Sequence, residues 1–69
     1  MDTARFQYGP SIYQVSVDLG DNVEIARVDL GAHRTVCKGA TFDGEVIHDA
    51  PANVDESLLV AAERALAYS

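Results

Sequence analysis

The apolar residues of this chain keep one period for most of its length and then change to another, and that switch decides the fold class. In SIYQVSVDL, Tyr13, Val15, Val17 and Leu19 fall on one side and Gln14, Ser16 and Asp18 on the other. A period of two marks a half-buried strand. In NVDESLLVAAERALAYS the residues Leu58, Leu59, Ala62, Ala65 and Leu66 recur instead with helical spacing, and Glu56, Val60, Glu63 and Ala67 lie opposite them. Such a stripe marks a helix that covers a core with one side. Asn53 is a favoured helix cap, and Glu56 completes a capping-box pattern with it.

Between these two ends the chain reads as a meander. Gly20-Asp21-Asn22 supplies turn residues after the first strand. In VEIARVDL, Val23 and Ile25 share one phase and Val28 and Leu30 the other, which suggests a bulge or twist near Ala26-Arg27. TVCKGATF is a strand weakened by Gly39. Asp43-Gly44, set between two β-prone runs, reads as the centre of a type I′ hairpin. VDLG, written at Val17–Gly20 and again at Val28–Gly31, reads as two strand ends. In each copy Val and Leu point to the core, Asp to the other face, and Gly opens the turn. RFQYGPSI reads as extended, with Gly9-Pro10 interrupting any long regular element.

The strands expected are about 11–19, 23–30, 35–42 and 45–48, the last at an edge, and the helix about 54–68. The architecture is α+β: a three- to four-stranded antiparallel meander packed on one C-terminal helix (ββββα), with 1–69 as a single small domain. A domain this short buries only about 60% of its unfolded surface. The usual staples are missing, because one cysteine makes no internal disulfide and two histidines with it complete no four-ligand zinc pattern. Self-association or a protein partner is the expected extra source of stability. No apolar run approaches the roughly 20 residues that span a bilayer, and MDTARFQYGP has no basic segment followed by an apolar one. A soluble, cytoplasmic chain is expected, with no membrane contact.

Charge is unevenly placed. Five acids (Asp2, Asp18, Asp21, Glu24, Asp29) and four bases (Arg5, Arg27, Arg34, Lys38) nearly balance in residues 1–38. Six acids (Asp43, Glu45, Asp49, Asp55, Glu56, Glu63) and no Lys or Arg follow from Gly39 to Glu63, and the formal net charge is −6. Direct binding of nucleic acid through phosphate neutralisation, which needs clustered bases, is excluded on this reading.

Catalytic and metal patterns are also weak. Four residues along a strand put His33 and Cys37 ~13 Å apart, too far to share an ion, and His48-Asp49 adjoins neither. Cys37 with His33 or His48 lacks a nucleophile elbow or an oxyanion device, and a free cysteine in a small domain is ordinarily core filler. Asp18 and Asp29, at opposite ends of neighbouring strands, are not a catalytic pair. The glycines have neither the spacing nor the following helix of a phosphate loop. No catalytic residue, metal or cofactor is expected, and the chain reads as a non-enzyme.

The strands followed by ESLLVAAERAL resemble the end of a double-stranded-RNA-binding domain in element order alone. The first helix of that family is missing, and Asp55 and Glu56 stand where it places lysines, so RNA binding does not carry over. What remains is surface. Glu56 and Glu63 lie two helical turns apart with apolar Val60 between them. Acids around an apolar spot suit a basic protein partner, with charge steering the approach. The expected partner-binding residues are Asp43, Glu45, Asp49, Glu56, Val60 and Glu63. In size and charge the chain is similar to anti-CRISPR and anti-restriction inhibitors, acidic proteins that occupy the nucleic-acid channel of a larger complex. The alternative is an assembly protein that forms a homodimer through its open sheet face or an edge strand.

Overall fold

A computed structural model of the chain describes residues 2–69 as an α+β fold with one five-stranded antiparallel sheet and a C-terminal helix. The strands are β1 (Asp2–Tyr8), β2 (Ser11–Val17), β3 (Asn22–Arg27), β4 (Arg34–Phe42) and β5 (Ile47–His48), and they neighbour one another in chain order. The helix α1 spans Glu56–Ala67. The meander expected from the alternation is present, with one strand more than the expected three or four.

The additional strand is β1. Ala4, Phe6 and Tyr8 are half-buried against the core and Thr3, Arg5 and Gln7 are exposed, a period of two that continues through the hairpin. Gly9-Pro10 does not interrupt the regular structure but turns it: Tyr8 pairs with Ser11, leaving those two residues as the loop. Gly9 has φ +59°, which supplies the positive φ of a first turn position, and Pro10 with its fixed negative φ suits the second.

The bulge lies on the strand opposite the expected one. Val23 pairs with Ala40 and Glu24 with Lys38, so Gly39 is the extra residue. Ile25 pairs with Cys37 and Ala26 with Thr35, which leaves Val36 as a second. Gly39 has φ +92°, a value that a residue with a Cβ rarely adopts. The phase slip read near Ala26-Arg27 coincides with this second irregularity, between Ile25 and Ala26, beyond which β3 ends at Arg27 and the chain leaves the sheet. Asp29–Gly31 form a 3-10 turn in which Leu30 has φ +55°.

Neither leucine of VDLG enters the core. Leu19 and Leu30 are each 92% exposed, because both follow the end of their strand. The two copies make different loops. Asp18 accepts the N–H groups of Gly20 at 2.8 Å and Asn22 at 3.0 Å, closing the β2–β3 turn. Asp29 pairs with Arg27 at 2.7 Å. The repeat is identical in letters and divergent in structure.

The helix starts later than expected. Asp55, with extended backbone, is its cap, and its carbonyl accepts the N–H groups of Leu58 and Leu59. Asn53 lies two residues upstream, in a turn where Pro51 accepts from the Val54 N–H, and it does not cap the helix. Leu58, Ala62 and Leu66 are buried and Leu59 and Ala65 packed beside them, as the spacing indicated. They meet Val15, Val17, Val23, Ile25, Cys37, Ala40 and Ile47 from four strands. At both edges the helix also meets the sheet through polar side chains. Ser57 is hydrogen-bonded to the Tyr8 hydroxyl on β1, and Glu63 accepts the Ile47 N–H of β5 at 2.9 Å. The sheet therefore curls around α1, which joins its first and last strands.

Candidate functional site

The β4–β5 turn is built on one carboxylate. Phe42 pairs with Ile47, so four residues, Asp43 to Val46, make the connection. Asp43 Oδ1 accepts the N–H groups of Glu45 at 2.9 Å and Val46 at 2.7 Å. Only Gly44 of these has positive φ, +101°, whereas a type I′ turn needs two such residues. The expected two-residue hairpin is thus a wider loop, because the aspartate satisfies its N–H groups from the side. The loop leaves only Ile47–His48 for β5, shorter than the expected 45–48, and it is an edge strand.

The other oxygen of Asp43, Oδ2, lies 2.7 Å from His48 Nε2. The Val46 N–H first, then the His48 ring and the Glu45 N–H, hold the Asp43 carboxyl well below the usual carboxylate range. The same bond raises His48 above its ordinary value, and the nearby charges of Asp43, Asp49 and Glu63 reinforce it. In the sequence His48 is weighed only as a metal ligand or a partner of Cys37 and set aside. Its signal was the five-residue spacing to Asp43, which becomes meaningful only once the turn folds back.

Of the six expected partner-binding residues, Asp43 bonds to His48, and the charges of Asp49 and Glu63 also act on its ring. Glu45 is exposed in the same turn beside Val46, which is 44% exposed. Val60 is 39% exposed on α1, one turn from half-buried Glu63. Glu56 is exposed on the first turn of the helix, two turns or ~10 Å of rise from Glu63. Glu63 is not a free charge: it is spent in part on the Ile47 N–H. Asp43 is likewise committed to its turn and to His48.

The face so formed runs from the β4–β5 turn across β5 to α1. Among the described residues, the one ion pair of a Lys or Arg is Arg27–Asp29, at the opposite end of β3. The acids of this face form, among the described residues, no ion pair with a Lys or Arg, and Asp43 is paired with His48. Among the described residues no three His, Cys, Asp or Glu side chains gather as a metal-binding set. Cys37 is buried in the core, and burial pushes its thiol up. No helix among the described residues is long and apolar enough to cross a membrane. No protein-family model matches the chain, and comparisons with curated proteins and with solved structures return no match.

Proposed function

We propose that the chain is a non-enzymatic protein-binding module whose acidic β5–α1 face docks on a basic surface of a larger complex. The observation that carries this reading is the Asp43–His48 pair in the β4–β5 turn, with exposed Glu45, Asp49, Val46 and Val60 on that turn, at the end of β5 and on α1, and with no Lys or Arg between Gly39 and Glu63. A surface of this kind attracts Lys- and Arg-rich grooves over a distance of about a Debye length, ~8–10 Å in physiological salt. The two valines add apolar contact once charge has aligned the partners. In its most concrete form the module is an inhibitor of the anti-CRISPR or anti-restriction type, which fills a channel that otherwise holds nucleic acid. Glu45, Asp49 and Glu56 are the charges left free for the partner, and Asp43 and Glu63 hold the face in shape.

The test is capture from the native host with the chain as bait at low salt, followed by titration of the captured complex with salt. Affinity should fall steeply as ionic strength rises, and Glu45→Gln with Asp49→Asn should weaken binding without changing the fold. Binding indifferent to salt and to these substitutions would refute the electrostatic reading.

The second reading is a homodimer. The outer sheet face favours it little, since its charged groups are already bonded to neutral neighbours: Arg5 donates to Gln14 at 3.1 Å and Glu24 accepts from Thr35 at 2.7 Å. The free edge of β1 favours it more, and a stable dimer in sedimentation would establish it.

A further inference from the structure

Away from the acidic face, the molecule carries a surface of opposite character. Strand β1 is the other edge of the sheet, seven residues long and fully paired with β2 on one side only. Alternate residues of such a strand direct N–H and C=O groups away from the sheet, an open template for a further strand. Along this edge, between β1 and α1, runs a groove of about 570 Å³. Phe6, Ala61, Ala65 and Tyr68 give it an apolar floor and wall, and Arg5 and Arg64 stand on its two sides. Tyr68 is 89% exposed, an aromatic left uncovered where the helix ends.

The charge of the groove runs against that of the whole. No Asp or Glu lines it among the described residues, although the chain has eleven acids, and two of its five Lys and Arg residues do. Arg64 is also the single Lys or Arg after Lys38, and it lines the groove. Arg5 uses one N–H on Gln14, and the rest of its guanidinium is free to bond.

From this placement we propose that the β1–α1 groove binds an extended, acidic peptide segment of another protein by strand addition. The added strand lies about 4.8 Å from β1 and bonds to its outward backbone groups. Its side chains alternate between the two faces. A carboxylate opposite Arg5 meets the guanidinium on the outer face, where cross-strand pairs lie within reach. On the inner face small apolar side chains rest on Ala61, Ala65 and Phe6, beside Tyr68, and an acid at the end reaches Arg64. A second copy of β1 fits less well, because it would bring its own Arg5 to a groove that already holds two arginines.

This site is separate from the acidic face, so the two can be tested apart. The probe is a capped seven-residue peptide alternating Glu with Val and Thr, titrated into the labelled full chain and followed by amide shifts. Shifts confined to β1 and the C-terminal turns of α1 are expected. They should vanish for the same peptide with Lys in place of Glu, and for one N-methylated at alternate positions. Arg5→Gln with Arg64→Gln should weaken binding about tenfold, within the range for two exposed charge pairs. Association of the acidic face with a basic partner should be unchanged in that variant. Equal shifts with the Glu and Lys peptides, shifts mapping elsewhere, no binding, or a stable dimer paired through β1 would each overturn the proposal.

Discussion

Glu63→Ala should loosen the last strand from the helix, and the size of the effect follows from one bond. Ile47 is 6% exposed and its N–H is 2.9 Å from Glu63 Oε2. A hydrogen bond to a charged acceptor is worth about 1.5–3 kcal/mol, and a buried N–H left without a partner costs about 1–3 kcal/mol. Glu63 is half-buried, so water softens both figures, and a loss of about 1.5–2 kcal/mol is expected. At about 4–8 °C per kcal/mol for a domain of this size, Tm should fall by roughly 6–16 °C. The total stability of such a chain is only about 3.5–10 kcal/mol, so the change is large. Glu63→Gln keeps an oxygen acceptor without its charge and should cost less than about 1 kcal/mol. Glu56→Gln, exposed on the first helical turn, is the control and should stay within about 0.5 kcal/mol. Thermal melts followed by circular dichroism give the stabilities, and hydrogen exchange at the Ile47 amide reports the bond itself. Exchange there should quicken in Glu63→Ala more than at core amides of β2 and β3. If Glu63→Ala melts with the unaltered chain, or if the glutamine variant is as damaged as the alanine one, the helix does not hold β5 by this bond.

The remaining expectations concern the turn, the bulge and the thiol. His48 binds its proton more tightly in the fold than in the unfolded chain, so its contribution to stability is full below pH 6.5 and is lost as pH rises through the raised value. Asp43→Asn keeps an oxygen for the Glu45 and Val46 N–H groups but removes the charge, and should return His48 toward its ordinary titration; an unchanged ring-proton titration by NMR would contradict the pairing. Gly39→Ala meets no atom within 4 Å, so its cost is the backbone alone at φ +92°, about 1–2 kcal/mol in denaturant melts; a neutral result would mean the bulge shifts register freely. Cys37, buried and with its thiol raised, should resist a thiol reagent in the folded chain and react once it is unfolded; rapid labelling of the folded chain would show that the core opens.

How far the sequence could be read depends on how local each signal was. The alternation of Tyr13, Val15 and Val17 and the stripe of Leu58, Ala62 and Leu66 needed no partner to be recognised, and both are present. The same alternation ran through Ala4, Phe6 and Tyr8, but the glycine and proline after it read as an interruption when they were the hairpin turn itself. The cap moved from Asn53 to Asp55 because Pro51 and Val54 close a turn of their own first. Local preference allowed either residue, and the path of the chain from β5 chose between them.

The candidate site divides in the same way. Composition alone placed six acids without Lys or Arg in the stretch from Gly39 to Glu63, and no folding can alter that charge. Which acids remain free was decided only in three dimensions. Asp43 is drawn into a turn and Glu63 onto an edge N–H, since in each case a backbone donor would otherwise lack a partner. The groove beside β1 was likewise invisible in the chain, because Arg5 and Arg64 stand at its two ends and meet only when α1 folds back along the first strand. The sequence determined the periods, and with them the α+β class and the acidic half. The tertiary structure decided the rest, because hydrogen bonds and ion pairs between distant residues exist only after the core has brought their strands and helix together.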